Sequence, residues 1–254
     1  MNLQEYIRFF HTLAETSAEV IRPDFFNPEL SVEYKADKSP VTIADREAEK
    51  AIRSLINKQY PRHGIIGEEF GNEKADAEFV WTLDPIDGTI AFTTGVPLFG
   101  TLIGLLHHRQ PIAGMIHQPV TDLTCIGTSE QTTLNGRPVK VRSVSSLKNA
   151  TLLTTDIKNV KAHRNYPSFQ NLIDRVDIFR TWADCYGYLL VACGYADIMV
   201  DPIMHEWDKL PLIPIIQGAG GTITGWERDD VLQANSCVAA APTLHSRVIE
   251  ILNT

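Results

Sequence analysis

The stretch WTLDPIDGTIAFTTG, residues 81–95, decides how the rest of the chain is read. An apolar run of strand character ends on Asp84, and a second aspartate follows at Asp87. Pro85 and Gly88 make a tight turn the expected conformation between them. Two carboxylates in one turn repel each other at neutral pH unless one is protonated or a cation bridges them. A hard divalent cation is the natural solution, held by both aspartates and by the Ile86 carbonyl that lies between them. If Gly88 and Thr89 open a helix, their N–H groups face an anion, and the Thr89 hydroxyl can orient a water. The same Asp-Pro-x-Asp-Gly pattern also serves as a plain surface turn, so the remainder of the chain has to decide between the two.

Working outward, the apolar runs FVWTLD, FGTLIGLLHH, PIAGMIHQP and LTCIGT, with a hairpin signal at Asn135-Gly136, predict a contiguous sheet over 79–142. Upstream, Leu3, Tyr6, Phe10, Leu13, Ala14, Ala18 and Ile21 repeat at helical spacing behind an Asn2–Glu5 capping pair, and Pro23 stops that helix. Residues 31–42 read as a loop or weak hairpin. A second helix runs from about Ile43 to Tyr60, stopped by Pro61, and GIIGEEF follows as a short strand and turn. After Ala150 strands alternate with helices, which predicts an α/β unit. The expected organisation is an N-terminal α+β lobe over 1–145 and a C-terminal α/β lobe over 146–254, forming one compact unit.

Composition bounds the function. The chain has 254 residues, 44% of them hydrophobic, and a net charge of -8. That excess of acid speaks against nucleic acid as a partner. No stretch approaches a membrane span, and Glu5, Arg8 and His11 interrupt what would be a leader core. Cys125, Cys185, Cys193 and Cys237 show neither a CxxC pair nor metal-ligand spacing, so they read as reduced, mostly buried thiols of a soluble cytoplasmic protein.

Acidic residues recur at the ends of elements. Glu68 and Glu69 follow a strand, Asp45 starts a helix, and Asp208 stands after Trp207 at another helix start. Open sheets place ligands at such points. Paired glutamates are usually solvated and aspartate is an ordinary N-cap, so each of these signals is weak by itself.

Taken together, GEE at 67–69, DPIDGT at 84–89, WD at 207–208 and GAGG at 218–221, with SPVTIAD at 39–45, resemble the inositol monophosphatase family in the right order over most of the chain. The resemblance implies a layered αβαβα sandwich and a Mg2+-dependent phosphomonoesterase, commonly dimeric, acting on a small phosphorylated metabolite with two or three ions per site. It assigns the metals to Glu68, Asp84, the Ile86 carbonyl, Asp87 and Asp208. Thr89 and Asp45 would orient the attacking water, with Glu68 beside them among the catalytic groups. Gly88 and Thr89 would hold phosphate, with Lys35 reaching it or a further metal. Within the family, DPIDGTIAFTTGVPLFGTLIGLL and ADCYGYLLVACGYADIMVDP are similar to the histidinol-phosphatase branch, which has Ile-Ala after the threonine in place of Asn-Phe. A substrate with an ammonium and an imidazole calls for carboxylates apart from the metals. Asp184 and Asp201 are the candidates, with Asp87 sharing the contact; Asp184 also reads as an N-cap. His205 and Glu206 are expected at the rim, and His107 and His108 as structural. Lys209 and Pro211 depart from the family pattern, the proline falling in the first helical turn. A sister phosphatase for inositol phosphates would keep the metals and lack the need for Asp184. A non-catalytic relative would have lost a ligand or Thr89.

Overall fold

The computed structural model describes residues 2–35 and 39–254. Helix α1 (Leu3–Ile21) forms as its periodicity predicts. Its capping pair does not: Asn2 makes no side-chain capping bond, and only its carbonyl is used, by the Glu5 amide at 3.1 Å. Asn2 is exposed, so water can serve its side chain. Strands β1 (Val32–Tyr34) and β2 (Pro40–Thr42) form the weak hairpin; residues 36–38 of the expected loop lie outside the described residues. Helix α2 (Ile43–Gln59) starts with a true capping box, in which the Thr42 side chain accepts from Ala44 N–H and Asp45 accepts from Thr42 N–H at 2.8 Å.

Strands β3 (Gly64–Gly67), β4 (Gly71–Glu73) and β5 (Phe79–Asp87) lead into the short helix α3 (Thr89–Thr93). Strands β6 (Gly100–His107), β7 (Gln110–Gln118), β8 (Leu123–Thr128), β9 (Thr132–Leu134) and β10 (Arg137–Val139) follow. They form one eight-stranded sheet in the order β10-β9-β8-β7-β6-β5-β3-β4, antiparallel except for β3 beside β5. Asn135 and Gly136 close the last hairpin with the positive φ values, 47° and 74°, of a type I′ turn.

The second half supplies β11 (Thr151–Leu153), α4 (Ile157–His163), α5 (Tyr166–Ile173), β12 (Ile178–Arg180), α6 (Asp184–Ala192) and β13 (Ile198–Asp201). It ends with α7 (Glu206–Gly218), β14 (Thr222–Thr224), β15 (Cys237–Ala240) and α8 (Pro242–Leu252). The second sheet runs β12-β11-β13-β15-β14, with β12, β11 and β13 parallel and β15 antiparallel to both its neighbours. Helix α4 is an addition to the sequence reading. Val160 is its one buried residue, so there is no apolar stripe to find.

Three apolar clusters stack these elements into five layers. Phe10 and Leu13 of α1 and Ile52 and Ile56 of α2 pack on Trp81, Leu83 and Ile103 of the large sheet. Tyr188 of α6 and Leu212 and Ile216 of α7 fill the space between the two sheets. Leu172 of α5 and Val248 of α8 cover the far face of the small sheet, against Ile198 and Val200. The order is helices, sheet, helices, sheet, helices: the α+β sandwich expected. Helix α7, from the second half of the chain, therefore covers the sheet built by the first.

The α7 contact is close. A Cβ on Gly114 would sit 1.9 Å from the Pro211 carbonyl oxygen, and one on Gly127 would sit 2.3 Å from Ile215 Cα. Pro211 and Pro214 lie inside this helix, so the expected place of Pro211 in the first turn is corrected. The helix begins at Glu206, and the proline ring thus stands where an N–H would have met the Trp207 carbonyl. None of the four cysteines is in a disulfide, and three are buried. No helix among the described residues is long and apolar enough to cross a membrane.

Candidate active site

The site begins with strand parity. Along β5, Trp81 and Leu83 face α1 and α2, while Val80 faces the α6–α7 layer. Side chains alternate, so Asp84 belongs to the α7 side. Three residues further on, Asp87 would fall on the opposite side of a regular strand. It does not, because the β5–β6 register shifts: Asp84 pairs with Leu102 and Asp87 with Gly100. The extra residue of this bulge returns Asp87 to the side of Asp84. The tight turn expected at Pro85 is thus replaced by a strand that continues through Asp87. A bulge also accommodates a residue without an N–H, and the Pro85 carbonyl accepts from Thr101 Oγ1 at 2.8 Å.

Helix α7 brings the third carboxylate. Asp208, in its first turn, accepts from the His205 N–H at 2.9 Å. One oxygen each of Asp84, Asp87 and Asp208 lies within 4.8 Å of the others. Glu68 follows β3 and is tied to β5 by its N–H, which donates to the Leu83 carbonyl at 3.1 Å. Burial pushes the Asp84 and Asp87 carboxyls well above the usual carboxylate range. Glu68, Asp87 and Asp208 add to this for Asp84, and Asp184 and Asp208 for Asp87. Asp208 is pushed up to about 7, mainly by burial. Asp84 Oδ1 is buried and finds no hydrogen-bond partner among the described residues. An orphaned buried oxygen among mutually repelling carboxylates is what a hard divalent ion satisfies, and the all-oxygen donor set suits one.

Two acids on one face of α2 reach this centre. Asp45 uses Oδ2 on Thr42, and its Oδ1 lies 3.4 Å from Thr89 Oγ1; burial raises its pKa against the Thr42 bonds that lower it. One turn on, Glu49 is fully buried. It takes Arg53 Nε at 2.7 Å and the amides of Glu69 and Phe70 at 2.8 and 3.2 Å, so it fixes the backbone that carries Glu68. A Cβ on Gly67 would lie 2.2 Å from Glu49 Oε1, which is why glycine precedes the glutamates. Sequence reasoning missed Glu49. The signal was available: Asp45 and Glu49 are four apart and in line with the apolar Ile52 and Ile56.

Thr89 donates to the Ile86 carbonyl at 3.0 Å, an oxygen whose second lone pair remains for a cation. Gly88 is left-handed, φ 90°, and caps α3. Lys35 Nζ rests on Glu68 at 2.8 Å and Glu69 at 2.6 Å rather than in the space beside Gly88. Burial works against its charge, yet the two glutamates hold the ammonium above the ordinary lysine range.

A cleft of about 580 Å³ opens over Glu68, Gly88 and Thr89. Asp184 lies in its wall, against Gly88, where a Cβ would be 2.9 Å from Asp184 Oδ2. It is not an N-cap; it is the first residue of α6, with φ 53°, its N–H donating to Thr155 Oγ1 at 3.0 Å. Burial, then Asp201 and Asp208, push its carboxyl up to about 8. Asp156, Lys158 and Asn159 also line the cleft, and sequence reasoning missed them together with α4. Asp201 is buried behind the wall, accepting from Thr155 N–H and the Tyr188 hydroxyl, each at 3.0 Å. His205 and Glu206 are exposed, the His205 ring stacked on Trp207 at 4.8 Å. Lys209 is buried, its ammonium held by the Leu232 and Ala234 carbonyls, so it ties the start of α7 to the 232–234 loop.

Comparison with known proteins identifies the family and the fold. The model of the inositol monophosphatase family matches residues 2–254. The chain is 39% identical over 246 residues to the bifunctional phosphatase IMPL2, chloroplastic, of Arabidopsis thaliana, covering 96% of this chain and 70% of that protein. It is 36% identical over 231 residues to the histidinol-phosphatase of Chlorobaculum parvum, covering 90% and 89%. Among solved structures, an inositol monophosphatase from Zymomonas mobilis superimposes with a TM-score of 0.89 at 34% identity, over 100% of both chains.

Proposed function

The chain belongs to the inositol monophosphatase family, a family of phosphatases, and from that footing we propose that it hydrolyses L-histidinol phosphate to L-histidinol and phosphate with Mg2+. Asp184 carries the choice of substrate. It is a partly buried carboxyl in the cleft wall, outside the Asp84–Asp87–Asp208 group, with its pKa pushed up to about 8 by burial and then by the Asp201 and Asp208 charges. The ammonium of histidinol phosphate would offset that repulsion, and a charge-assisted bond in such a setting is strong. A neutral polyol phosphate has nothing equivalent to offer it. The likeness to a relative named histidinol-phosphatase supports the same reading.

Glu68, Asp84, the Ile86 carbonyl, Asp87 and Asp208 would hold the metal. Bound Mg2+ supplies a water of lowered pKa and neutralises charge on the phosphoryl and leaving oxygens. The protein's own part is placement. Thr89 Oγ1, between Ile86 O and Asp45 Oδ1, donates toward one of them and turns its lone pair to a water O–H, which aims that water's oxygen at phosphorus. Asp45, with its raised pKa, is suited to take the proton released. The ester P–O bond breaks as the new one forms, and the leaving alkoxide is protonated from solvent. Gly88 and Thr89 amides hold the phosphate oxygens at the mouth of α3. Asp201 acts through Thr155 and Tyr188, whose bonds hold the Asp184 end of α6 in place. A homodimer in the cytoplasm is the expected state.

The test is phosphate release with Mg2+ from L-histidinol phosphate and from myo-inositol 1-phosphate, each with and without EDTA. Preference for histidinol phosphate, abolished by EDTA, is the expected result. Preference for the inositol ester would refute the substrate and keep the metal site. No turnover of either, with metal bound, would mean a different phosphate ester.

A further inference from the structure

At the end of β5 remote from the aspartates, β6 returns into β7 through the turn His108-Arg109, with His107 paired to Gln110. Both turn residues have positive φ, 50° and 65°. A type I′ turn demands this, yet neither is the asparagine or glycine that adopts it readily. The turn folds the His108 ring against the His107 ring, centroids 4.2 Å apart. Glu78 Oε1 lies 3.1 Å from His107 Nε2 and 4.0 Å from His108 Nε2. The Glu78 carbonyl also accepts the His108 N–H at 2.8 Å, which locks the glutamate to the turn. One donor atom from each of the three residues lies within 4.8 Å of the other two. The His107 ring is held in place by stacking on Phe79 at 4.4 Å, and Phe79 stacks on His63 at 4.9 Å. Arg109 does not oppose a cation here, because Asp76 pairs with it at 2.7 Å.

We propose that Glu78, His107 and His108 form a second cation site, for a borderline divalent ion of the Zn2+ class. Two imidazoles and one carboxylate are the donors such an ion prefers, whereas Mg2+ requires oxygen. The half-exposed position leaves room for water to complete the coordination. The site is separate from the carboxylate centre: six residues of β5, at about 3.3 Å each, put roughly 20 Å between Glu78 and Asp84. A bound ion joins the segment leading into β5 to the β6–β7 turn and so fastens the outer end of the sheet.

The test is equilibrium dialysis of Zn2+ against the full-length protein in excess Mg2+, which keeps the carboxylate centre filled. The wild type is expected to bind one Zn2+ per chain. His107→Gln with His108→Gln should weaken this at least about 10-fold, and Glu78→Gln by a smaller factor. The double variant should keep the far-UV circular dichroism of the wild type, since His108 is exposed and His107 is partly exposed at the outer end of the sheet. Co2+ in place of Zn2+ should give visible bands in the wild type that the double variant lacks. Equal Zn2+ binding by the wild type and the double variant, or none by the wild type at micromolar Zn2+, overturns the proposal.

Discussion

Asp184 and Asp84 both have carboxyls raised by burial and by neighbouring acids, and the proposed function gives them different work. In that proposal Asp84 shares a metal with its neighbours, while Asp184 meets the substrate's charge. Asp184→Asn should raise KM for L-histidinol phosphate about 10- to 100-fold, the loss of one charge-assisted bond, and leave KM for a polyol phosphate nearly unchanged. Steady-state kinetics on both esters check it; an equal loss on both would place Asp184 with the metals. The acids at element ends were legible in the sequence because a strand end or helix start is a poor place for a buried charge without a task. Glu49 was missed although its place in line with Ile52 and Ile56 marked the inner face of α2, because a glutamate on a helix rich in acids is easily taken for part of a solvated face. Asp201 was legible as an acid near the site, but its two oxygens being turned to Thr155 and Tyr188 is a matter of packing that no spacing announces.

Two elements set the geometry, a bulged strand and a helix pressed on glycines. The bulge in β5 makes Asp84 and Asp87 neighbours, and it was not legible because register belongs to a pair of strands. The apolar runs gave the strands themselves, and Asn135-Gly136 gave its hairpin. Helix α4 lacked an apolar stripe, and with it went the cleft residues Asp156, Lys158 and Asn159. On α2, Glu49→Gln should leave the fold intact, lower stability by about 1–3 kcal/mol, and weaken metal binding about 10-fold by loosening the backbone of Glu69 and Phe70. Thermal melting and a Mg2+ titration of activity measure the two effects. Under α7, Gly114→Ala on β7 puts a methyl into the Pro211 carbonyl and should cost at least about 1–3 kcal/mol. A melting temperature equal to that of the wild type would mean that α7 can retreat from the sheet.

Across the whole molecule, the fold stores charge repulsion at the junction of its layers. Asp208 at about 7 and Asp184 at about 8, with Asp84 and Asp87 also raised, each lie above their unfolded values. Without metal the native state then binds more protons than the unfolded chain, so these groups lower stability as pH rises from about 4 through about 8. Melting in EDTA should therefore fall across that range, and Mg2+ should flatten the decline. The strands and helices in order gave two lobes, the layering of those lobes came only from the family resemblance, and the place where the layers meet was legible only as a set of acids in search of a cation.

The most direct test is the melting temperature at pH 8 of the wild type and of Asp84→Asn, each in EDTA and in excess Mg2+. Wild-type protein should gain several degrees with Mg2+, about 2–4 °C per kcal/mol of binding for a chain of this size. Asp84→Asn should gain almost nothing from Mg2+ and should melt above the wild type in EDTA, because one repelling charge is gone. A Mg2+ shift of the same size in both proteins, or none in the wild type, would contradict a metal centre built on Asp84.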